Sequence, residues 1–182
     1  MTRSLRQFAR ALTPVSICLA TVSLASSAVA SELTNEVKHP EYIGPSANLE
    51  FADLSGVSLK NLDLSNANLT GANLSGSNLS GTNLSFATLT GALLDNVNLS
   101  HALLQNSVMN GVHIQNSNLD FAHFLEADLQ NATLISTTLV GGVFDSVNLS
   151  YSVIDSVDFS RSRISNTNFI EATIVNSKLQ TP

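Results

Sequence analysis

The sequence has one cysteine, no tryptophan and few charged residues, and each shortage excludes a class of protein. A single cysteine rules out a fold held together by disulfides. Eight Lys and Arg against fourteen Asp and Glu give a net charge of −6, which argues against a basic groove for nucleic acid. Aromatic residues make up only 5% of the chain but hydrophobic residues 43%, so we expect an aliphatic core rather than a disordered chain. A length of 182 residues suits one domain.

The first thirty residues differ in composition from the rest. Three arginines within residues 1–10 precede an uncharged stretch, residues 11–30, whose last small residues Ala28 and Ala30 come just before Ser31. A basic start, an apolar middle and an A-x-A end predict a secretory signal peptide, 1–30, that is cleaved before Ser31. The alternative is a membrane anchor, because twenty uncharged residues are just long enough to span a bilayer. A proline and several Ser and Thr in this stretch favour the cleaved signal.

Cleavage changes the charge and the cysteine content of the protein. Five cations would remain against fourteen acids, a net charge of −9, and the only cysteine would leave with the signal. A chain without thiols suits an oxidising compartment, because no wrong disulfide can form. We expect an exported protein, in the periplasm or secreted, or in the thylakoid lumen if the source is photosynthetic. No membrane span is expected after cleavage.

A five-residue period runs through the rest of the chain. Every fifth residue from Leu49 to Leu179 is large and apolar: eighteen Leu, four Ile, four Phe and one Met, with no polar residue among the 27. Such a run predicts a continuous buried face. The predicted core includes Leu49, Leu54, Leu69, Leu99, Phe124 and Phe144.

The residue two places before each large one is nearly always small, as in Ala47 and Ala52. Residues two apart in an extended segment share a side, so both face inward and the residue between them faces outward. The two remaining residues must turn the chain, and seven Gly and eight Asn occupy the second of these places. Both tolerate the positive φ that the third residue of a type II turn requires. A helix is excluded, because a period of five keeps no constant face on it.

Extended triplets joined by corners must close into a coil if the large residues are to share an interior. Four right-angled corners close a square coil of twenty residues, so the 27 repeats make about seven coils. At a strand spacing of about 4.8 Å, these coils form a rod roughly 30 Å long. Phe124 and Phe144, twenty residues apart, should stack on one wall. The sequence thus predicts an all-β fold, a quadrilateral β-helix.

The repeat resembles that of the pentapeptide-repeat family, whose motif reads A-(D/N)-L-x-x. Residues 47–49, 52–54 and 127–129 spell the motif outright, and the register holds over residues 47–181. The resemblance implies the family's right-handed quadrilateral β-helix. It implies little about activity beyond a scaffold for protein interactions.

The two ends of the repeat region are expected to behave differently. Residues 31–46 break the register, because Gly44 stands where a large residue is expected, and they form either a cap on the first coil or a linker. At the other end only Pro182 follows the last coil, and a solenoid end needs a cap or a partner. This predicts an end-to-end homodimer through the C-terminal coil. The alternative is a frayed last coil that Lys178 and Gln180 keep soluble.

The residue types that carry chemistry do not come together in this pattern. His113 and His123 fall on opposite walls and His101 at a corner, so no metal site is expected. Acidic residues do not recur at twenty-residue spacing on one wall, and no serine has a His–Asp partner set. The six Asn-Leu-Ser/Thr sequons are spelled by the repeat itself. We therefore expect no catalytic, cofactor-binding or metal-binding residues.

Some outward positions are apolar, and they become more frequent in the second half of the rod. Exposed aliphatic residues are common on any protein surface, so scattered variation is the alternative interpretation. The candidate interaction surface consists of Leu93, Leu103, Val108, Val143, Val153, Ile170 and Val175.

The resemblance implies two functions. The first is a non-enzymatic, exported scaffold that presents ladders of side chains on a rigid rod to an unidentified protein partner. The second is an acidic mimic of DNA that occupies DNA gyrase, which a net charge of −9 allows. An exported protein would not meet cytoplasmic gyrase, and the acids form no continuous stripe, so the first function is favoured. Binding of nucleic acid itself is not expected.

Overall fold

The computed structural model describes residues 43–179 of the chain. The predicted signal peptide, with Ala28, Ala30 and Ser31, lies outside the described residues. So does most of the 31–46 segment.

Each outward residue pairs with the residue twenty positions later. The pairs are all parallel and follow one another in every repeat from Asn48↔Asn68 to Asp158↔Lys178. A constant offset of twenty residues means that four five-residue repeats close one coil. The prediction of an all-β quadrilateral β-helix is confirmed.

The outward residues form four walls, which we number in chain order. Wall 1 begins at Asn48, wall 2 at Asp53, wall 3 at Ser58 and wall 4 at Asp63, and each continues with every twentieth residue. A corner of two residues separates each wall from the next. A residue's number therefore specifies its wall, and the coil count specifies its height along the rod.

Regular strands occur in the C-terminal half of the described chain. They are β1 (His113–Gln115), β2 (Thr133–Ile135), β3 (Val143–Asp145), β4 (Val153–Asp155), β5 (Arg163–Ser165) and β6 (Thr173–Val175). Wall 2 carries a parallel sheet in the order β1-β2-β4-β6, and wall 4 carries the pair β3-β5. Most of these strands contain β-branched residues, which favour an extended backbone. The earlier coils make single bridges instead of strands.

The interior is filled by the large residue of each repeat. Those from Leu49 to Phe159 are at most 5% exposed, which confirms the predicted inward face. Phe124 and Phe144 stack with ring centroids 4.8 Å apart, as their twenty-residue spacing predicts, and Phe159 meets Phe144 edge-on at 5.5 Å. Toward the C-terminal end the large inward residues are less buried, and Leu179 is 50% exposed.

The corners have the conformation that the sequence predicts. The second corner residue has positive φ in every repeat, and seven of these residues are glycines. At most corners the next N–H closes the turn on the preceding large residue, as from Ala92 to the Leu89 carbonyl at 3.0 Å. This is the pattern of a type II turn.

In the later coils, hydroxyl groups complete the turn at the corner that follows wall 2. Ser117 Oγ donates to the carbonyl of Leu94 at 2.7 Å and accepts from the N–H of Val97 at 3.0 Å. These two groups would otherwise bond to each other across the turn. A serine in the small inward position therefore ties its own coil to the coil below.

The coil geometry begins one repeat earlier than the side-chain pattern. Ser46 has a φ of 61°, and the N–H of Ala47 donates to the carbonyl of Gly44 at 3.1 Å, as at later corners. Gly44 thus interrupts the large side chains but not the backbone register, because the turn requires only backbone groups. Ile43 is buried, whereas the choice between a cap and a linker for residues 31–42 stays a prediction.

Candidate functional site

Asparagine and aspartate on the walls stabilise the coils. The Oδ1 atom of Asn98 accepts the N–H of Ser100 at 3.0 Å, and the same bond recurs two residues after many outward Asn and Asp residues. Asn83 Nδ2 also donates to Asp63 Oδ1 at 3.0 Å across one coil step. The backbone N–H of Ser65 is the main cause of the lowered pKa of Asp63. These polar positions, including the sequon asparagines, have a structural role.

The predicted interaction residues do not form one surface. Leu93 and Val153 lie on wall 2, and Val175 ends the last strand of that wall. Leu103 and Val143 lie on wall 4, separated by His123. Val108 lies on wall 1, and Ile170 lies at the corner between walls 1 and 2.

The predicted interaction residues also differ in how exposed their side chains are. Leu93, Val153 and Val175 are each 41–42% exposed, and Ile170 is 62% exposed. Leu103 and Val143 are half-buried. Walls 2 and 4 therefore each carry part of the candidate surface.

Four exposed aromatic residues at corners were not predicted from the sequence. They have φ values of 56–61° and exposed fractions of 48–68%, and they are Phe51, Phe86, Phe121 and Tyr151. Bulky residues rarely adopt positive φ. The signal that identifies them is an aromatic residue in the corner position that Gly and Asn otherwise occupy. Leu125, 39% exposed beside wall 4, was also missed.

Replacing Phe86 by asparagine is expected to raise the free energy of unfolding by roughly 1 kcal/mol. The left-handed conformation costs most L-residues about 1–2 kcal/mol, and asparagine tolerates it best among them. Asn66 and Asn106 already occupy this corner in the adjacent coils. Urea denaturation measures the change. Phe86→Ala is the control, because alanine gains no such tolerance, and equal stabilities for the two variants would contradict the prediction.

One of these aromatic residues forms part of a ladder at the corner between walls 3 and 4. His101 and Phe121 stack there with centroids 5.1 Å apart and an interplanar angle of 10°. The Phe121 ring then lies over Gly141, where an added Cβ would approach the ring to 2.6 Å. Arg161 occupies the same corner one coil further. The ring thus occupies the space that a side chain at position 141 would fill.

A shallow groove of about 380 Å³ opens beside Gly141 and Gly142 onto wall 4. Its lining residues are Gln105, His123, Leu125, Gly141, Gly142, Val143, Arg161 and Arg163. Arg163 binds Asp145 through its guanidinium, with Nε 3.1 Å from Oδ1. The Ser165 hydroxyl, and to a lesser extent Arg163, lower the pKa of the Asp145 carboxyl. Among residues 43–179, Arg161 forms no ion pair.

Wall 2 carries a smaller groove of about 180 Å³. It is lined by Leu93, Asp95, His113, Ile114, Gln115, Thr133 and Ile135. Its lining combines three aliphatic side chains with a carboxylate, an imidazole, an amide and a hydroxyl, and it includes no Lys or Arg.

The described part of the chain holds no group of three His, Cys, Asp or Glu residues that could bind a metal ion. Histidines 113 and 123 lie on walls 2 and 4, and His101 lies at a corner. Residues 43–179 contain no helix long and apolar enough to cross a bilayer.

Comparison with protein families identifies the repeat. The model of the pentapeptide repeats (8 copies) matches residues 47–85, 82–120 and 113–150. These segments together cover more than half of the chain. No curated protein matches the chain in sequence.

Several solved structures are similar to the chain. HetL, a pentapeptide-repeat protein involved in heterocyst differentiation regulation in the cyanobacterium Nostoc sp. strain PCC 7120, is 26% identical with a TM-score of 0.47. That match covers 70% of this chain and 62% of HetL, so the chain spans less than two thirds of that relative. A pentapeptide-repeat protein from the Arabidopsis thaliana thylakoid lumen is 29% identical over 57% of this chain and 68% of its own length (TM-score 0.42). QnrB1, a plasmid-mediated fluoroquinolone resistance protein, is 21% identical over 72% and 79% (TM-score 0.40).

Proposed function

The chain belongs to the pentapeptide-repeat family, and from that we propose that it is an exported, non-enzymatic scaffold that binds a protein partner. The observation that carries the proposal is the placement of exposed apolar side chains on a closed, aliphatic rod. The large inward residues fill the interior from Leu49 to Phe159, so the surface is the part left for function. A rigid solenoid presents its surface with little loss of entropy on binding.

Site-specific photocrosslinking in the source cells tests the scaffold function. A photoreactive phenylalanine at Val143 on wall 4 and at Val153 on wall 2 is expected to crosslink to a discrete partner. The matched controls are Thr138 and Asp158 on wall 3, each one repeat away from a test position. Walls 2 and 4 carry most of the candidate surface and wall 3 carries none of it, so the wall 3 positions should not crosslink. Equal crosslinking from wall 3, or none from any wall, would contradict the proposal.

The proposal that the protein is exported rests on the pattern of the N-terminal residues. We expect the native protein to begin at Ser31, after cleavage behind Ala30. Mass spectrometry of the protein purified from its source, with cell fractionation alongside, measures this. A soluble native chain that still carries Met1 would contradict both cleavage and export.

We also infer an end-to-end homodimer through the C-terminal coil. Within the described residues, Phe169 and Ile174 of this coil are only partly buried, and Ile170 and Leu179 are 62% and 50% exposed. Earlier coils bury the equivalent residues against the next coil. A two-fold contact between two such ends would bury both sets and would also pair their open strand edges.

Light scattering on the purified protein should give the mass of a dimer. The double variant Phe169→Lys and Ile174→Lys should be monomeric, because lysines at this end would oppose each other across a two-fold axis. Circular dichroism on the variant checks that the earlier coils remain folded. A monomeric unmodified protein at high micromolar concentration would end this inference.

The alternative function is an acidic mimic of DNA that occupies DNA gyrase. Its support is the negative charge of the chain. The eleven acids of the described residues are spread over all four walls and their corners, whereas a mimic of duplex DNA needs regular rows of charge. Inhibition of gyrase supercoiling by the purified protein would favour this alternative.

A further inference from the structure

The groove on wall 4 lies at the one place in the described chain where two adjacent glycines interrupt the repeat. Gly141 leaves the corner without a side chain, and Gly142 stands where the other repeats have Ala, Ser, Thr, Val or Leu. The Phe121 ring covers Gly141 from one side, and Arg161 follows on the other. The result is a depression with a glycine backbone floor, the Leu125 and Val143 side chains in its lining and a cationic end.

An aromatic ring lies next to the groove. Phe121 has a φ of 60°, a conformation that bulky residues rarely adopt. Its ring covers Gly141, and the residue is still 48% exposed, so it adds apolar surface beside the groove. Leu125, on the other side of His123, adds a second exposed apolar side chain.

The cationic end is unusual on this protein. Residues 43–179 contain eleven acids and four cations, and two of the four, Arg161 and Arg163, line this groove. Asp145 binds Arg163, which leaves Arg161 as the charge that a ligand can meet. An arginine beside exposed apolar side chains complements a carboxylate that neighbours an apolar residue.

We propose that this groove binds a short acidic segment of the partner protein, with an apolar side chain against Leu125 and Val143 and a carboxylate on Arg161. The proposal rests on the scaffold function and specifies the chemistry of its partner. From the coil of Gln105 to the coil of Arg161 is three coil steps, about 14 Å. An extended segment of four or five residues spans that length at about 3.3 Å per residue.

Three pentapeptide probes, acetylated and amidated, test the ligand chemistry. The acidic probe is Glu-Leu-Phe-Asp-Glu, the neutral isostere is Gln-Leu-Phe-Asn-Gln, and the basic probe is Lys-Leu-Phe-Lys-Lys. Titration into the ¹⁵N-labelled protein follows the amide signals of Gly141 and Gly142 by NMR. We expect the acidic probe to shift these signals and to bind at least about five-fold more tightly than the neutral one, the size of a single exposed ion pair.

Two variants and one control localise the binding. Arg161→Ser should lower the affinity for the acidic probe about five-fold and leave the affinity for the neutral probe unchanged. Lys60→Ser is the matched control, since it removes the same charge from the same corner five coils away. It should change the affinity less than two-fold. Gly141→Asn keeps the charge and suits the positive φ, as Asn61 does on this corner. Its Cβ would meet the Phe121 ring at 2.6 Å, so the ring or the new side chain must move toward the groove, which should abolish binding of the acidic probe.

Several results would overturn the proposal. They are equal binding of the acidic and basic probes, shifts centred on another wall, no shift at millimolar probe, and equal losses in the Arg161 and Lys60 variants. A five-nucleotide oligo-dT forms a separate arm, because an arginine beside a stacked aromatic ring also suits single-stranded nucleic acid. Stronger binding of oligo-dT than of the acidic probe would overturn the assignment to a protein segment.

The failure of this proposal is distinguishable from failure of the scaffold function. Crosslinking at Val143 reports contact with a partner whatever its charge. Crosslinks at Val143 without binding of the acidic probe would support the scaffold function and contradict the acidic segment. Binding of the acidic probe without crosslinks from walls 2 and 4 would support the groove as a binding site and contradict the scaffold function as proposed.

Discussion

Leu99→Asp is expected to destabilise the rod by more than about 4 kcal/mol. Leu99 is fully buried among aliphatic residues of the adjacent coils, where a carboxylate would find no partner. Each coil depends on its neighbours, so the loss should spread beyond one coil. Urea denaturation followed by circular dichroism measures the free energy of unfolding.

Asn98→Asp is the matched control, one residue away and on the outer face. Aspartate keeps the Oδ1 atom that accepts the Ser100 N–H at 3.0 Å, so the free energy of unfolding should change by no more than about 0.5 kcal/mol. Equal losses for the two variants would show that the inward and outward faces are assigned wrongly.

Gly142→Ala is expected to destabilise the protein by roughly 2 kcal/mol, the usual cost of overpacking a tight core. An added Cβ would lie 2.8 Å from the Phe144 ring and 3.1 Å from the Leu139 carbonyl oxygen. The ring has little freedom to move aside, because Phe124 stacks on it and Phe159 meets its edge. Eleven repeats have alanine in this position, and in nine of them a leucine follows two residues later; Ala122 precedes Phe124, whose ring has no second aromatic ring against its edge within residues 43–179.

A double-mutant cycle with Phe144→Leu tests this explanation. Phe144→Leu alone should destabilise the protein, because it removes two aromatic contacts and leaves a cavity. The double variant restores the Ala-x-Leu pair and should lose at least 1 kcal/mol less than the sum of the single variants, roughly half the overpacking cost. Additive losses, measured by urea denaturation, would contradict direct coupling between the two positions.

The sequence predicts the fold because inward and outward faces repeat without a slip. Leu49 and Leu99 follow from periodicity alone, and the stacking of Phe124 on Phe144 follows from the four-corner coil. Glycine and asparagine at the corners predict positive φ, since few other residues adopt it readily. The same preference explains why Phe121 was not predicted as an exposed aromatic residue. The turn propensities of Gly and Asn describe the usual residues at a corner and give no reason to expect a phenylalanine there.

Contacts between coils are harder to predict, since they join residues about twenty positions apart. The hydroxyl of Ser117 reaches the carbonyl of Leu94, 23 residues earlier, and Arg163 reaches Asp145, 18 residues earlier. A five-residue motif says nothing about such pairs until the coil length is known. The groove at Gly141 and Gly142 is lined by residues from four coils. The sequence analysis considered outward positions singly, so it identified Val143 but not the other lining residues.

The twenty-residue offset makes surface geometry depend on repeat number modulo four. Loss of one five-residue repeat after Asn98 would remove one corner with its two inward residues and leave all the others in register. Each later outward side chain would nevertheless turn by a quarter of a circle relative to the earlier ones. The groove from Gln105 to Arg163 would rotate as a unit and stay intact, whereas Leu93 would lose its column with Val153. Insertions and deletions of single repeats can therefore re-aim one binding surface against another, while gains or losses of four repeats change only the distance between them.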